Sequence, residues 1–166
     1  DYARDMFLFS FYTRGMSFID MAYLKKSDLK NGTITYRRRK TGQQLTVKWE
    51  KCMEDIIAKY RENTATRYLL PIITNPCSDE RTQYRNAICR INVALKEVVG
   101  LAGLNIPLTM HVARHCWASV AKSKNIPLSV ISEGMGHDSE ETTRIYLASL
   151  DTSVVDKANS LILKDF

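Results

Sequence analysis

"LKNGTITYRRRKTGQQLTVKW", residues 29–49, is the stretch on which the fold class turns. Asn31-Gly32 marks one turn and Thr41-Gly42 a second. Between them "TITYRRR" is β-rich, and after them "QLTVKW" resumes the strand. The pattern predicts an antiparallel hairpin whose tip or shoulder carries Arg37, Arg38, Arg39 and Lys40.

Around this hairpin the chain reads as helix. "DYARDMFLFSFYTRG" opens inside an apolar helical pattern with no start signal of its own, as expected of a fragment of a longer protein. "SFIDMAYLKKSDL" predicts a short helix with Ser17 as N-cap and Asp20 at the capping-box position. Further helices are predicted at about 50–62, 78–99, 111–124, 127–134, 139–148 and 152–163, with "RYLLPII" as a third short strand. The expected fold is α+β, mainly α-helical with a small antiparallel β-sheet, and residues 1–166 form a single domain.

Composition narrows the partner class. Residues 1–50 carry ten Lys/Arg against five Asp/Glu, whereas the other 116 carry fourteen against thirteen. A positive charge concentrated beside the hairpin favours a polyanion. No apolar run approaches the roughly 20 residues needed to cross a bilayer, so the expectation is a soluble, intracellular protein. Cys52, Cys77, Cys89 and Cys116 form no C-x-x-C pair, and buried free thiols are expected rather than a disulfide framework.

The chemistry-bearing residues cluster late in the chain. "MHVARHCWASV", residues 110–120, places His111, Arg114 and His115 within about one helical turn. His111 and His115 have the i, i+4 spacing of a zinc pair, but Val112 stands where a metalloprotease has its glutamate. A blander reading makes His115 a core-edge histidine and Arg114 a solvated charge. Downstream, "GMGHDSEETTRIYLASL" holds His137 after Gly136 in a helix-ending turn, and Tyr146 nine residues later.

Taken in order, these motifs resemble the tyrosine recombinases, the phage-integrase family. "RRRKTGQQLTV" is similar to that family's hairpin lysine segment, "HVARHCWAS" to its H-x-x-R-H segment, and "MGHDSEETTRIY" to its L-G-H-x-x-x-x-T-T-x-x-Y segment. The resemblance covers nearly all of the chain and implies the family's catalytic domain. It implies DNA breaking and rejoining in site-specific recombination: integration or excision of a phage or other mobile element.

Metal-free cleavage of a phosphodiester needs a nucleophile, cationic stabilisation of the transition state and an acid for the leaving oxygen. By the resemblance, Tyr146 attacks and forms a 3′-phosphotyrosyl ester. Arg114 and His137 hold phosphate oxygens, His111 assists proton transfer or holds the phosphate, and Lys40 protonates the departing 5′ oxygen. Arg37, Arg38 and Arg39 grip the DNA backbone. Neither a cofactor nor a catalytic metal is implied.

One position departs from the family pattern. Where the family has a second arginine, in a G-x-R segment, this chain reads Gly15-Met16-Ser17. Arg14 is the first substitute: on a helix, residues three apart lie about 60° apart around the axis, and Gly15 also lets the backbone turn enough to bring it in. The alternative leaves Ser17 as a simple N-cap and takes the second cation from Arg37–Arg39.

The resemblance also implies an N-terminal core-binding domain, often an arm-binding domain, and tetramers on paired double-stranded DNA sites in a bacterial cytoplasm, nucleoid-associated when bound. The amphipathic stretch at 152–163 packs on its own domain or docks on a neighbouring subunit. Competing functions are a type IB topoisomerase-like relaxation of DNA, a DNA-binding module that has lost catalysis, and a zinc hydrolase.

Overall fold

The computed structural model describes residues 1–63, 66–101, 103 and 107–148. The stretch at 152–163 lies outside the described residues. Helix α1 (Tyr2–Tyr12) runs through the middle of the molecule, with α3 (Lys51–Lys59), α4 (Glu80–Leu101) and α5 (Met110–Ser123) packed around it. Its buried positions Ala3, Met6, Phe9 and Ser10 recur every three or four residues, so one face meets the core. A second, smaller core gathers Ala118, Ala121, Ile131, Met135 and Leu147 from α5, α6 (Leu128–Met135) and α7 (Glu140–Ala148).

The sheet has three strands in the order β1 (Leu29–Lys30), β2 (Thr33–Arg37), β3 (Gln44–Lys48), both pairs antiparallel. Asn31 and Gly32 both take positive φ, 49° and 71°, as a tight two-residue hairpin turn requires, and this reverses the chain from β1 into β2. The second turn closes through Arg38 N donating to Gln43 O (2.8 Å) and Gly42 N to Arg38 O (2.8 Å).

Two expectations are corrected here. "RYLLPII" is not a strand, and the third strand is Leu29–Lys30. Tyr68 forms a single bridge with Lys25, and Leu69 N donates to Leu24 O. Pro71 then removes a donor and ends the pairing, while Leu70, Ile72 and Ile73 bury into the core. Of the cysteines, all free, Cys77 and Cys89 are exposed rather than buried.

Within the described residues, the predicted helices agree to within a few residues. The predicted 50–62 helix stops at Lys59, followed by a 3₁₀ turn at Arg61–Asn63. Helix α2 (Phe18–Ala22) is capped by Ser17, whose Oγ accepts from Asp20 N (3.3 Å) and donates to Asp20 Oδ2 (2.6 Å). Among the described residues, no helix is long and apolar enough to cross a membrane.

Candidate active site

Four chain segments converge beside the N-terminal half of α5: the α1–α2 turn, the β2–β3 turn, the end of α6 and helix α7. Arg114 stands at their junction and is only 7% exposed. Its Nη1 donates to Gly15 O (2.9 Å) and its Nη2 to Met135 O (2.7 Å). Met135 is the last residue of α6, where the C-terminal oxygens have no intrahelical donor, and Gly15 lies in the turn after α1, so the guanidinium ties these two segments together. Gly15 sits at φ 72°, and a Cβ there would lie 2.7 Å from Arg114 Cα. The turn is therefore glycine both for its conformation and for this approach.

Arg38 is equally buried, 7% exposed. Its Nη1 donates to Gly136 O, the left-handed residue (φ 64°) that caps α6. A Cβ on Gly136 would meet Leu45 Cδ1 at 2.8 Å and Arg38 Cδ at 2.9 Å, so only glycine lets the hairpin close down on this turn. The two arginines feel each other: burial first, then the Arg38 charge, pushes Arg114 down to about 10. Arg114 remains protonated at neutral pH. Among the described residues neither guanidinium forms an ion pair, although the field of Asp20 reaches Arg114. Two desolvated cations side by side favour an anion between them.

His137 follows Gly136. Its Nδ1 pairs with Thr143 Oγ1 at 2.7 Å, and burial, Arg114 and Arg38 drive it down to about 4. It is neutral at pH 7. Where the Thr143 hydroxyl donates to Nδ1, the ring's remaining proton sits on Nε2 and is available to an acceptor.

Tyr146, on α7, is half-buried, and burial pushes its phenol up to about 12 against the pull of Arg114. Its ring stacks on His115 (centroids 5.0 Å apart, planes 8° apart) and meets His137 edge-on at 5.5 Å. His111 is exposed at the start of α5, edge-on to His115 at 4.5 Å. It is lowered by burial, Arg114 and Lys40. Lys40 is exposed on the turn, and its charge is felt at both His111 and His137.

The remaining predicted residues divide. Arg37 is exposed and donates to Gly42 O (2.8 Å). Arg39 lies over the Tyr23 ring at 3.6 Å, and its backbone N donates to Asp20 Oδ1 (2.9 Å). Arg38, expected with them on the surface, points inward. The signal was available: Ile34, Tyr36 and Arg38 continue the period-two inward face of β2.

Arg14 is not on the helix but past its end, at φ 62°. Its Cδ lies 3.7 Å from where a Cβ on Gly134 would stand, on the Trp117 side of α6. Its charge is felt at Tyr36, whereas that of Arg38 is felt at Tyr36, Arg114 and His137. As for zinc, no third His, Cys, Asp or Glu joins His111 and His115 among the described residues.

The family model described as the phage integrase family matches residues 2–153. The chain belongs to the phage integrase family. No curated protein matches it. Among solved structures, it resembles the XerA recombinase at 20% identity (TM-score 0.59), over 97% of this chain and 63% of that one. It resembles XerH bound to a palindromic difH substrate after cleavage at 24% identity (TM-score 0.64), over 95% and 45%. With a lambda integrase dimer bound to a COC′ core site the identity is 18% (TM-score 0.65), over 88% and 42%. The chain thus spans less than two thirds of each structure's length. At these identities the likeness is one of fold, that of the tyrosine recombinase catalytic domain.

Proposed function

We propose that this chain is the DNA-cleaving domain of a site-specific tyrosine recombinase, with Tyr146 as nucleophile. The observation that carries the proposal is the grouping of one half-buried phenol with a neutral histidine and two buried arginines that have no carboxylate partner among the described residues. A scissile phosphate supplies the anion this group lacks.

In this reading Arg114 and Arg38 direct their remaining N–H groups at the non-bridging oxygens, and Nε2 of His137 donates to a third position. The phenol cannot be ionised beforehand at a pKa of about 12, so its proton leaves during attack. His111, neutral at pH 7, accepts that proton directly or through water. The Tyr146 Oη–P bond forms, the P–O5′ bond breaks, and Lys40 protonates the 5′ oxygen. Reversal by a 5′ hydroxyl restores the duplex. The ester conserves the bond energy, so the sequence of steps needs no cofactor.

Arg38 in this scheme takes the place of the arginine replaced by Ser17, and Arg14 is not required for it. Arg37, Arg39 and the basic β2–β3 turn contribute salt-dependent grip on double-stranded DNA. Assembly as a tetramer on paired sites, with the 152–163 segment exchanged between subunits and an N-terminal domain clamping the opposite DNA face, belongs to the same proposal. So does residence in a bacterial cytoplasm.

The test is covalent trapping. Full-length protein is mixed with a nicked suicide duplex carrying its attachment site, after a gel shift has established binding. A denaturing gel should show a DNA-linked band that Tyr146→Phe abolishes. Tight binding with no adduct would replace this reading with that of a DNA-binding module without catalysis.

A further inference from the structure

His115 has no part in the chemistry above, yet it is the ring most closely applied to the proposed nucleophile. We propose that His115 is a positioning residue, a flat plate against which the Tyr146 ring rests so that its hydroxyl stands at the Arg114–Arg38 pair. This inference rests on the function proposed for Tyr146.

Three features of the structure support it. The imidazole and phenol planes are nearly parallel, 8° apart with centroids at 5.0 Å. Such offset stacking holds a ring in plane without fixing its hydroxyl. Second, the buried Nδ1 of His115 makes no hydrogen bond among the described residues. Third, the plate is itself braced, because the ring of His111, one turn earlier on α5, packs edge-on against the His115 ring with centroids 4.5 Å apart.

The need for a plate follows from α7. This nine-residue helix buries only Thr143 and Leu147, and so short a helix depends on tertiary contacts. Thr143 is tied to His137 Nδ1, and Leu147 enters the small core with Met135. Those two contacts fix the helix, not the side-chain torsions of Tyr146. The side chain also packs against the small core, and among the described aromatic rings it meets His115 on a face and His137 at an edge. A neutral plate suits this place: burial, then His111 and Arg114, all disfavour charge on His115.

The test compares His115→Ala, which removes the plate, with His115→Phe, which restores a flat ring without nitrogen. Thermal melts establish that each folds. Two readouts are taken on the full-length protein: the single-turnover rate of phosphotyrosyl formation at saturating suicide duplex, and the nitration of Tyr146 in DNA-free protein, mapped by mass spectrometry. The expected result for Ala is about a five- to tenfold slower cleavage, the worth of one ring contact. DNA affinity should be unchanged and nitration of Tyr146 several-fold faster. Phe should return both readouts to within about threefold of wild type.

Ala behaving as wild type in both readouts would overturn the proposal. So would a folded Phe variant as slow as Ala, since the imidazole nitrogens rather than the plane would then matter. Failure of the functional reading shows separately, as no adduct from wild type. The nitration arm then still decides whether the His115 ring holds Tyr146, and equal nitration in all three proteins overturns it.

Discussion

Replacing Arg38 with alanine is the sharpest perturbation of the proposed site. Arg38 is 7% exposed, commits one guanidinium N–H to Gly136 O and has no carboxylate partner among the described residues. A unit charge about 4 Å from a phosphate oxygen is worth about 4 kcal/mol at an effective dielectric of 20. Loss of one preorganised donor in a desolvated site typically slows catalysis by about 10²–10³. Both routes lead to the same expectation, a cleavage rate reduced about 10²–10³-fold in the suicide-duplex assay. Stability should respond far less. The lost bond to Gly136 O is offset by relief of repulsion with Arg114, so the melting temperature should move by only a few degrees.

An independent readout comes from His137. Burial is the main cause of its low value of about 4, with Arg114 and Arg38 next. Removing Arg38 should raise it toward the ordinary range. The chain has only three histidines, so an imidazole NMR titration resolves them individually. If Arg38→Ala cleaves within about threefold of wild type while Arg14→Ala falls about a hundredfold, the second cation is Arg14 and the reasoning fails.

Ser17→Arg, in the Arg38→Ala background, puts a guanidinium at the cleft lined by Phe18, Tyr84, His111 and Arg114. It should recover at least about tenfold in cleavage despite losing an N-cap worth about 1 kcal/mol; a double variant slower than Arg38→Ala would count against the placement. Gly136→Ala forces a Cβ into Leu45 and Arg38 at 2.8–2.9 Å and strains a φ of 64°. It should lower stability by about 1–3 kcal/mol in urea unfolding and slow cleavage with it.

Asp5, 1% exposed, accepts from Lys59 (3.0 Å), Tyr60 (2.9 Å) and Arg4 (3.1 Å). Burial raises its pKa, but these donors outweigh burial and hold it below its ordinary value. Its folded pKa therefore lies under its unfolded one, so its contribution is present above about pH 4 and is lost as pH falls through and below that value. Asp5→Asn should lower the melting temperature at pH 7 and flatten its decline on acidification.

Some of this architecture was legible because the signals are local. Asn31-Gly32, Thr41-Gly42 and the alternation around them specify a hairpin wherever it packs, and Ser17 with Asp20 specifies a helix start. The strand misread at "RYLLPII" was an apolar run whose partner lay more than forty residues upstream, at Leu24–Lys25. A run's composition says that it is buried, not which backbone it meets. The helical placement of Arg14 fails for the opposite reason. The chain does not continue as a helix but leaves α1 through two successive left-handed residues, Arg14 and Gly15.

Residue order alone determined the main helices of the described residues, the β2–β3 hairpin with its basic turn, and the spacing of His111, Arg114, His137 and Tyr146, because helix and strand periodicity and turn chemistry act over a few residues. The strand alternation already marks Arg38 as the inward arginine of the run 37–39, but what it meets there was decided by tertiary structure. The β2–β3 hairpin folds onto the α6 end at Gly136, where the absence of a side chain admits it, and the pleat turns Arg38 inward while Arg37 and Arg39 face out. Burial and neighbouring charge then make one histidine neutral and one phenol hard to ionise. Those are long-range electrostatic properties, and no stretch of sequence carries them by itself.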